Sequence, residues 1–296
     1  MKKSIGLLLV LIPLFLSAQP TEKSLLWKIS GNGLTKSSYL FGTIHLIPKR
    51  DFFLSKAVEQ AFGSTEQVVF EIDMKEIEDQ TAQIGLIMKA MMRGDSTLQD
   101  LVSAVDYEVI KEEFEKRGMP LSMFERLKPL FLSTMLLGDG KPTPGDSENL
   151  LDDFKSYEVE LMRLAQEQNK DIKGLESIDY QMSIFDSIPY RTQAAMLVAG
   201  IKKDDKGNKE EFQQMLELYK KQDIEAMQAL FSADKEGIAV FEKLLLTDRN
   251  RRWISEMQKL MAQKVTFFAV GAGHLGGEKG IIVLLRKAGF TLSSFQ

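Results

Sequence analysis

Val265-Thr266-Phe267-Phe268-Ala269-Val270-Gly271-Ala272-Gly273-His274 is an apolar run that stops at glycine and reaches a histidine three residues later. Aromatic and β-branched residues bounded by small turn residues read as a buried strand. The phrase recurs near the other end of the chain as Ser38-Tyr39-Leu40-Phe41-Gly42-Thr43-Ile44-His45. These are the only two histidines in 296 residues. Glycine is about 7% of average sequence, so finding it by chance three residues before both has odds of roughly one in two hundred. Imidazole is the side chain best suited to metal ligation and proton transfer near neutral pH. Two scarce histidines in one local context read as parts of one site.

Working outward, strand patterns concentrate at the two ends of the chain. Residues 25–29, 38–44 and 67–72 are short apolar or β-branched runs, separated by turn residues such as Gly31-Asn32-Gly33 and Gly63-Ser64. Between the second and third, Leu54, Ala57, Val58, Ala61 and Phe62 share one helical stripe. The closing section repeats the scheme, with a strand at 265–270, a helix at 280–288 and a short strand from Thr291. Neither end has enough strands for a stable sheet alone. The expected fold is therefore α/β: a central mixed β-sheet built from both chain ends, flanked by helices, with a large helical insertion between them.

That insertion, about 76–168, has helical periodicity. Ser103 and Asp106 have capping-box spacing, and Gly118 with Pro120 stops the helix. A turn-rich stretch at 138–147 precedes a helix expected over 150–168. Asp171-Ile172-Lys173-Gly174-Leu175-Glu176 reads as a short strand. Further helices run to Lys264, broken by a charged linker at 202–209.

Residues 1–18 read as a secretory signal peptide: Lys2 and Lys3, an apolar run from Ile5 to Leu16, then Leu16-Ser17-Ala18 before Gln19. The expectation is an exported, soluble protein, periplasmic or extracellular, with one domain over 19–296 and no membrane span after cleavage. Cysteine is absent, which excludes disulfides and thiolate chemistry. The net charge of −4 argues against a broad nucleic-acid surface.

In open α/β sheets, ligands collect at the carboxyl ends of strands. His45, His274, Glu71 and Glu176 all fall at such ends. Glu71 lies inside an apolar run, where an ionised carboxylate is costly unless paired or metal-bound; the alternative is an edge position facing solvent. Asp73 either shares its face or caps the next helix. Arg249-Asn250-Arg251-Arg252 reads on composition alone as a solvated basic face balanced by Glu242, Asp248 and Glu256. No His-Glu-x-x-His, Gly-x-Ser-x-Gly or phosphate-binding loop occurs. Gly271 to Gly276 matches a dinucleotide-binding pattern by letter, but lies too near the carboxyl end for the acidic ribose-binding residue.

Six phrases together resemble the TraB/GumN family, related to the TIKI proteases. They are Leu26-Trp27-Lys28-Ile29, Tyr39 to His45, Val69-Phe70-Glu71-Ile72-Asp73, Gly174-Leu175-Glu176, Asp248 to Trp253, and Phe268 to Leu275. The resemblance implies an α/β fold shared with erythromycin-esterase-like and haem-binding ChaN-like proteins, and an activity like that of metal-dependent peptidases. By matching position it implies His45, Glu71 and His274 as the metal or catalytic centre, with manganese or cobalt; nitrogen and oxygen ligands without sulfur fit Mn²⁺, Co²⁺ or Zn²⁺. It implies Glu176 and Arg249 as catalytic residues, with Asp73 and Asn250 near a peptide or small-molecule substrate. The leading expectation is an exported metal-dependent hydrolase, of peptidase type. Two others stand beside it: metal-free hydrolysis with a histidine as general base, and a non-catalytic envelope module that binds a haem-like ligand or signals.

Overall fold

Residues from opposite ends of the chain pair strand against strand. The computed structural model describes residues 22–74, 80–136, 154–203, 205–233 and 238–296. Among these, the strands are β1 (Leu26–Gly31), β2 (Ser38–Thr43), β3 (Ile47–Pro48), β4 (Gln67–Ile72), β5 (Phe154–Lys155), β6 (Asp171–Glu176), β7 (Thr266–Gly271) and β8 (Phe290–Ser294). Six form one mixed sheet in the order β6-β4-β7-β2-β1-β8. The strands β6, β4, β7 and β2 run parallel, with Ile72 opposite Glu176 and Thr43 opposite Gly271. β1 and β8 are antiparallel and close the far side. β3 and β5 form a separate two-stranded pair.

The burial of these strands follows their composition. β2 is buried at every position, and β4 and β7 at all but their last residue. This is the pattern of parallel strands covered on both faces. β1 and β2 are joined through Gly31, Asn32 and Gly33, all at positive φ (81°, 47° and 82°). Such a turn favours glycine and asparagine.

The helices are α1 (Lys56–Gly63), α2 (Gln80–Ala90), α3 (Ala104–Lys116), α4 (Pro129–Met135), α5 (Tyr157–Glu167) and α6 (Ile178–Asp186). They continue as α7 (Tyr190–Lys202), α8 (Asp205–Lys220), α9 (Ile224–Ala233), α10 (Asp248–Gln263) and α11 (Ile281–Lys287). Helix α10 buries Arg249, Asn250, Trp253, Met257, Leu260 and Met261, a stripe at spacings of one, three and four that packs toward β6 and α11. The main core gathers Trp27, Phe41, Phe267, Phe268, Tyr157 and Tyr219 around the sheet. A smaller core holds Leu98, Ile110, Phe114, Leu121 and Leu132 with Ala194, Leu197 and Val198. The helical lobe is therefore completed by α7, beyond the expected end of the insertion at 168.

Several local expectations shift. The helix expected over 150–168 begins at Tyr157, because the Ser156 side chain accepts from Val159 N as its cap and Phe154–Lys155 pairs with β3. Residues 150–153 lie outside the described residues, as do the leader at 1–18, the turn-rich stretch at 138–147 and residues 76–79. The expected linker at 202–209 is helical from Asp205. Lysine and glutamate favour helix, and Leu216 and Tyr219 of the same helix are buried.

The carboxyl ends of β4 and β6 approach closely because Gly174 has no side chain. A Cβ there would lie 2.2 Å from Asp73 N and 2.5 Å from the Ile72 carbonyl carbon. Gly174→Ala is expected to destabilise the protein by about 1–3 kcal/mol. Gly200→Ala, whose Cβ in α7 would meet nothing within 4 Å, is expected to be neutral or stabilising by about 0.5–1 kcal/mol. Thermal unfolding of the two variants checks this; equal effects would contradict the close approach.

Candidate functional site

The parallel strands deliver four of the expected residues to one edge of the sheet. Glu71 is the penultimate residue of β4, Glu176 ends β6, His45 lies two residues past β2, and His274 closes a short turn (Ala272–His274) after β7. Both glycines of the paired phrases have a steric role. A Cβ on Gly42 would come within 2.9 Å of the Leu275 side chain and 3.2 Å of Ala272. One on Gly271 would come within 3.2 Å of Glu71 Oε1. The bare Gly271 N–H instead donates to that oxygen at 2.8 Å.

At the centre lies the Arg249 guanidinium, and all of its donors are taken. Nε donates to Glu176 Oε1 at 3.0 Å. Nη2 donates to Glu71 Oε2 at 2.5 Å and to Glu176 Oε1 at 2.6 Å. Nη1 donates to the Leu245 carbonyl at 3.0 Å and lies 3.2 Å from His274 Nε2. Leu245 belongs to a π-helical turn, Lys243–Thr247, that runs directly into α10; such turns recur at functional sites. Five N–H groups meet four acceptor atoms, Glu176 Oε1 accepting twice. The other oxygen of Glu176 accepts from Trp253 Nε1 at 3.0 Å.

His274 is buried behind this cation, stacked on Trp253 with ring centroids 4.4 Å apart. Its tautomer follows from its neighbours. Asn250 Nδ2 donates to the carbonyls of Lys279 (3.0 Å) and His274 (3.3 Å), which turns Asn250 Oδ1 toward His274 Nδ1 at 2.6 Å. Nδ1 therefore carries the proton, and Nε2 accepts from Arg249. Burial pushes the imidazole pKa down to about 3, so the ring is neutral at pH 7. Burial alone would raise the Glu71 carboxyl, yet the surrounding positive groups and the Gly271 amide hold it well below the usual range. With His274 uncharged, the lasting counter-charge is Arg249.

His45 has the opposite setting. Its side chain is 72% exposed, and Nδ1 lies 3.1 Å from Glu158 Oε1. Thr43 Oγ1 donates to the same oxygen at 2.7 Å, and Ser156 Oγ to Oε2 at 2.9 Å. The hydrogen bond to Glu158 raises the His45 pKa to about 9, against the opposing effect of desolvation. His45, Glu71, Glu158, Gln181 and Arg249 all line one cavity of about 420 Å³. Asp73 is elsewhere: it lines a second, polar cavity of about 640 Å³ beside Arg252, Trp253 and Glu176.

The residues expected to act thus gather, but not as equals. Arg249 and Asn250 are buried at 7% and 2% exposure, which corrects their reading as part of a solvated basic face. Glu71 is buried and paired, not an edge residue. Asn250 spends both ends of its amide within the protein, and positions His274. The expected metal set does not fit together as arranged. Glu71 and His274 Nε2 stand 3.7 Å apart, but the guanidinium occupies the cation position against both. The Nδ1 of His45 is engaged by Glu158. Among the described residues no three His, Asp or Glu side chains come close enough to share an ion.

Sequence reasoning missed Glu158, Thr43 and Gln181. Glu158 reads as an ordinary acidic residue in the first turn of a helix, and only the tertiary fold brings it across 113 residues to His45.

A model of the TraB/PrgY/gumN family matches residues 25–294. No curated protein and no solved structure matches the chain.

The two imidazoles offer a direct test, since a histidine-labelled NMR spectrum contains one pair of rings. One signal, His45, is expected to titrate well above the ordinary value of about 6.5. The other, His274, is expected to stay neutral from pH 8 down to below pH 5 with its proton on Nδ1. Two midpoints near 6.5 would refute the arrangement. By linkage, His274 and Glu71 both bind protons more readily in the unfolded chain. Stability is therefore expected to fall as pH drops from about 6.5.

Proposed function

Because the chain belongs to the TraB/PrgY/gumN family, we propose that it is a hydrolase of amide or ester bonds that works in the cavity between His45 and Glu71. The observation that carries this reading is the His45–Glu158 pair at the cavity wall. An imidazole whose Nδ1 is held by a carboxylate presents Nε2 to the substrate, and the carboxylate stabilises the imidazolium that forms when Nε2 takes a proton. Thr43 holds the same Glu158 oxygen that meets the ring, and Ser156 holds the other.

In this proposal His45 Nε2 removes a proton from the attacking water as its oxygen bonds to the substrate carbonyl carbon. The tetrahedral intermediate then collapses, the bond to the leaving nitrogen or oxygen breaks, and Nε2 returns the proton to the leaving group. Glu71 is too weak a base to compete, being held ionised by Arg249, and serves to orient the water. The guanidinium has no donor left for an oxyanion. Gln181 is the better candidate: its Nε2 is held only at 3.5 Å by Glu71 and by Glu176, and its side chain lines the cavity. Glu176, Asn250 and Trp253 are positioning residues for Arg249 and His274.

Among the described residues no helix is long and apolar enough to cross a membrane. We propose that the leader read at 1–18 exports this hydrolase and that it acts outside the cytoplasm.

A general base must be unprotonated to act, so below the His45 midpoint near pH 9 the rate is expected to rise about tenfold per pH unit, levelling off only above that midpoint. His45→Ala should lower kcat by about 10²–10⁴-fold. Glu158→Gln should move this rising limb down toward the ordinary histidine range and lower its plateau. The profile is to be measured on an ester and an anilide substrate, with and without chelator and with added Mn²⁺. A His45→Ala variant with undiminished turnover, or activity that disappears with chelator and returns with metal, overturns the proposal.

A further inference from the structure

We infer that the cavity selects a neutral amide or ester bearing a large apolar side chain, and disfavours substrates with a free carboxylate beside the scissile bond. This rests on the hydrolase reading for its chemistry but on separate residues for its selectivity. The walls of the cavity carry Leu46, Ile72, Met74, Ile184, Phe185 and Leu245, an apolar surface contributed by β4, α6, the π turn and the segments that follow β2 and β4. A space of about 420 Å³ lies in the range of small-ligand sites, roughly 300–1,000 Å³. It accommodates an aromatic or branched aliphatic side chain with the adjoining amide.

The floor decides the charge. A substrate carboxylate is ordinarily bound by a guanidinium fork or an ammonium. Of the described residues lining this cavity, Arg249 and His45 are the cationic ones. All five donors of Arg249 are spent on Glu71, Glu176, Leu245 and His274. His45 is matched by Glu158. Two carboxylates of the lining, Glu71 and Glu158, already match these two cations, and neither cation has a bidentate face to offer. An incoming carboxylate would find only single N–H donors, His45 Nε2 and Gln181 Nε2, beside two fixed carboxylates, a poor return for its lost hydration. A neutral amide or ester loses little and buries its apolar group.

The test is binding at pH 7 to the full-length protein, followed through the His45 ring signal. The probes are N-acetyl-phenylalanine amide, N-acetyl-phenylalanine as the free acid, and N-acetyl-glycine amide. The phenylalanine amide is expected to bind at least about tenfold more tightly than either of the others. Met74→Ala and Phe185→Ser are each expected to weaken it several-fold while unfolding midpoints stay close to wild type. His45→Ala, read by calorimetry, is expected to keep the affinity within about threefold while losing turnover. Equal or tighter binding of the free acid, no binding of the amide, or affinity indifferent to both wall substitutions overturns the inference. If the amide binds with the stated preference but the corresponding ester and anilide are never cleaved, the hydrolase reading fails and this one stands.

Discussion

A buried guanidinium with all five N–H groups engaged is the constraint on which the site depends. Arg249 ties together the ends of β4 and β6, the π turn before α10 and the turn after β7. Taking such charges out of water is costly, and removing one partner of a buried pair typically costs about 3–5 kcal/mol because the other is left uncompensated. Here one cation serves two carboxylates, so the penalty for its loss falls on both strand ends. The cluster fixes the ionisation of Glu71 and the neutrality of His274 together. It leaves His45, on the open side, as the ring free to exchange a proton with something in the cavity.

The two histidines look alike in sequence and differ in the fold because their flanks differ. After β2 the chain continues outward, past the cavity, and His45 meets Glu158 at a part-exposed position. After β7 the chain tightens into a turn and tucks His274 against Trp253 and Asn250. The glycines answer two separate packing demands, one against Leu275 and one against Glu71. The shared phrase thus reports a shared position at the sheet edge, not a shared role.

Much of the frame was legible from residues alone. The apolar runs at both ends marked β1, β2, β4 and β7 within two residues, and the shortage of strands at either end forced them into one sheet. Glu71 and Glu176 could be placed at strand ends from pattern alone. What pattern could not supply was pairing across distance. Nothing local shows that the first-turn acid Glu158 meets a histidine over a hundred residues away. Nor does Arg-Asn-Arg-Arg reveal which of its members faces inward, since the helical register of α10 is set by Trp253, Met257 and Leu260 packing on the sheet. The onset of α5 was misjudged for a related reason: a two-residue pairing with β3 overrode helical propensity.

The strand order carries a consequence for how the chain is made. β7 lies between β4 and β2, yet it leaves the ribosome some two hundred residues after them. Until it arrives, the two most apolar early strands have no neighbour to bridge them, and closing so long a loop is slow. Before then, β1 with β2 and β4 with β6 can pair only as separate halves. β7 is in this sense the keystone of the sheet: without it both halves present an open inner edge of unpaired backbone.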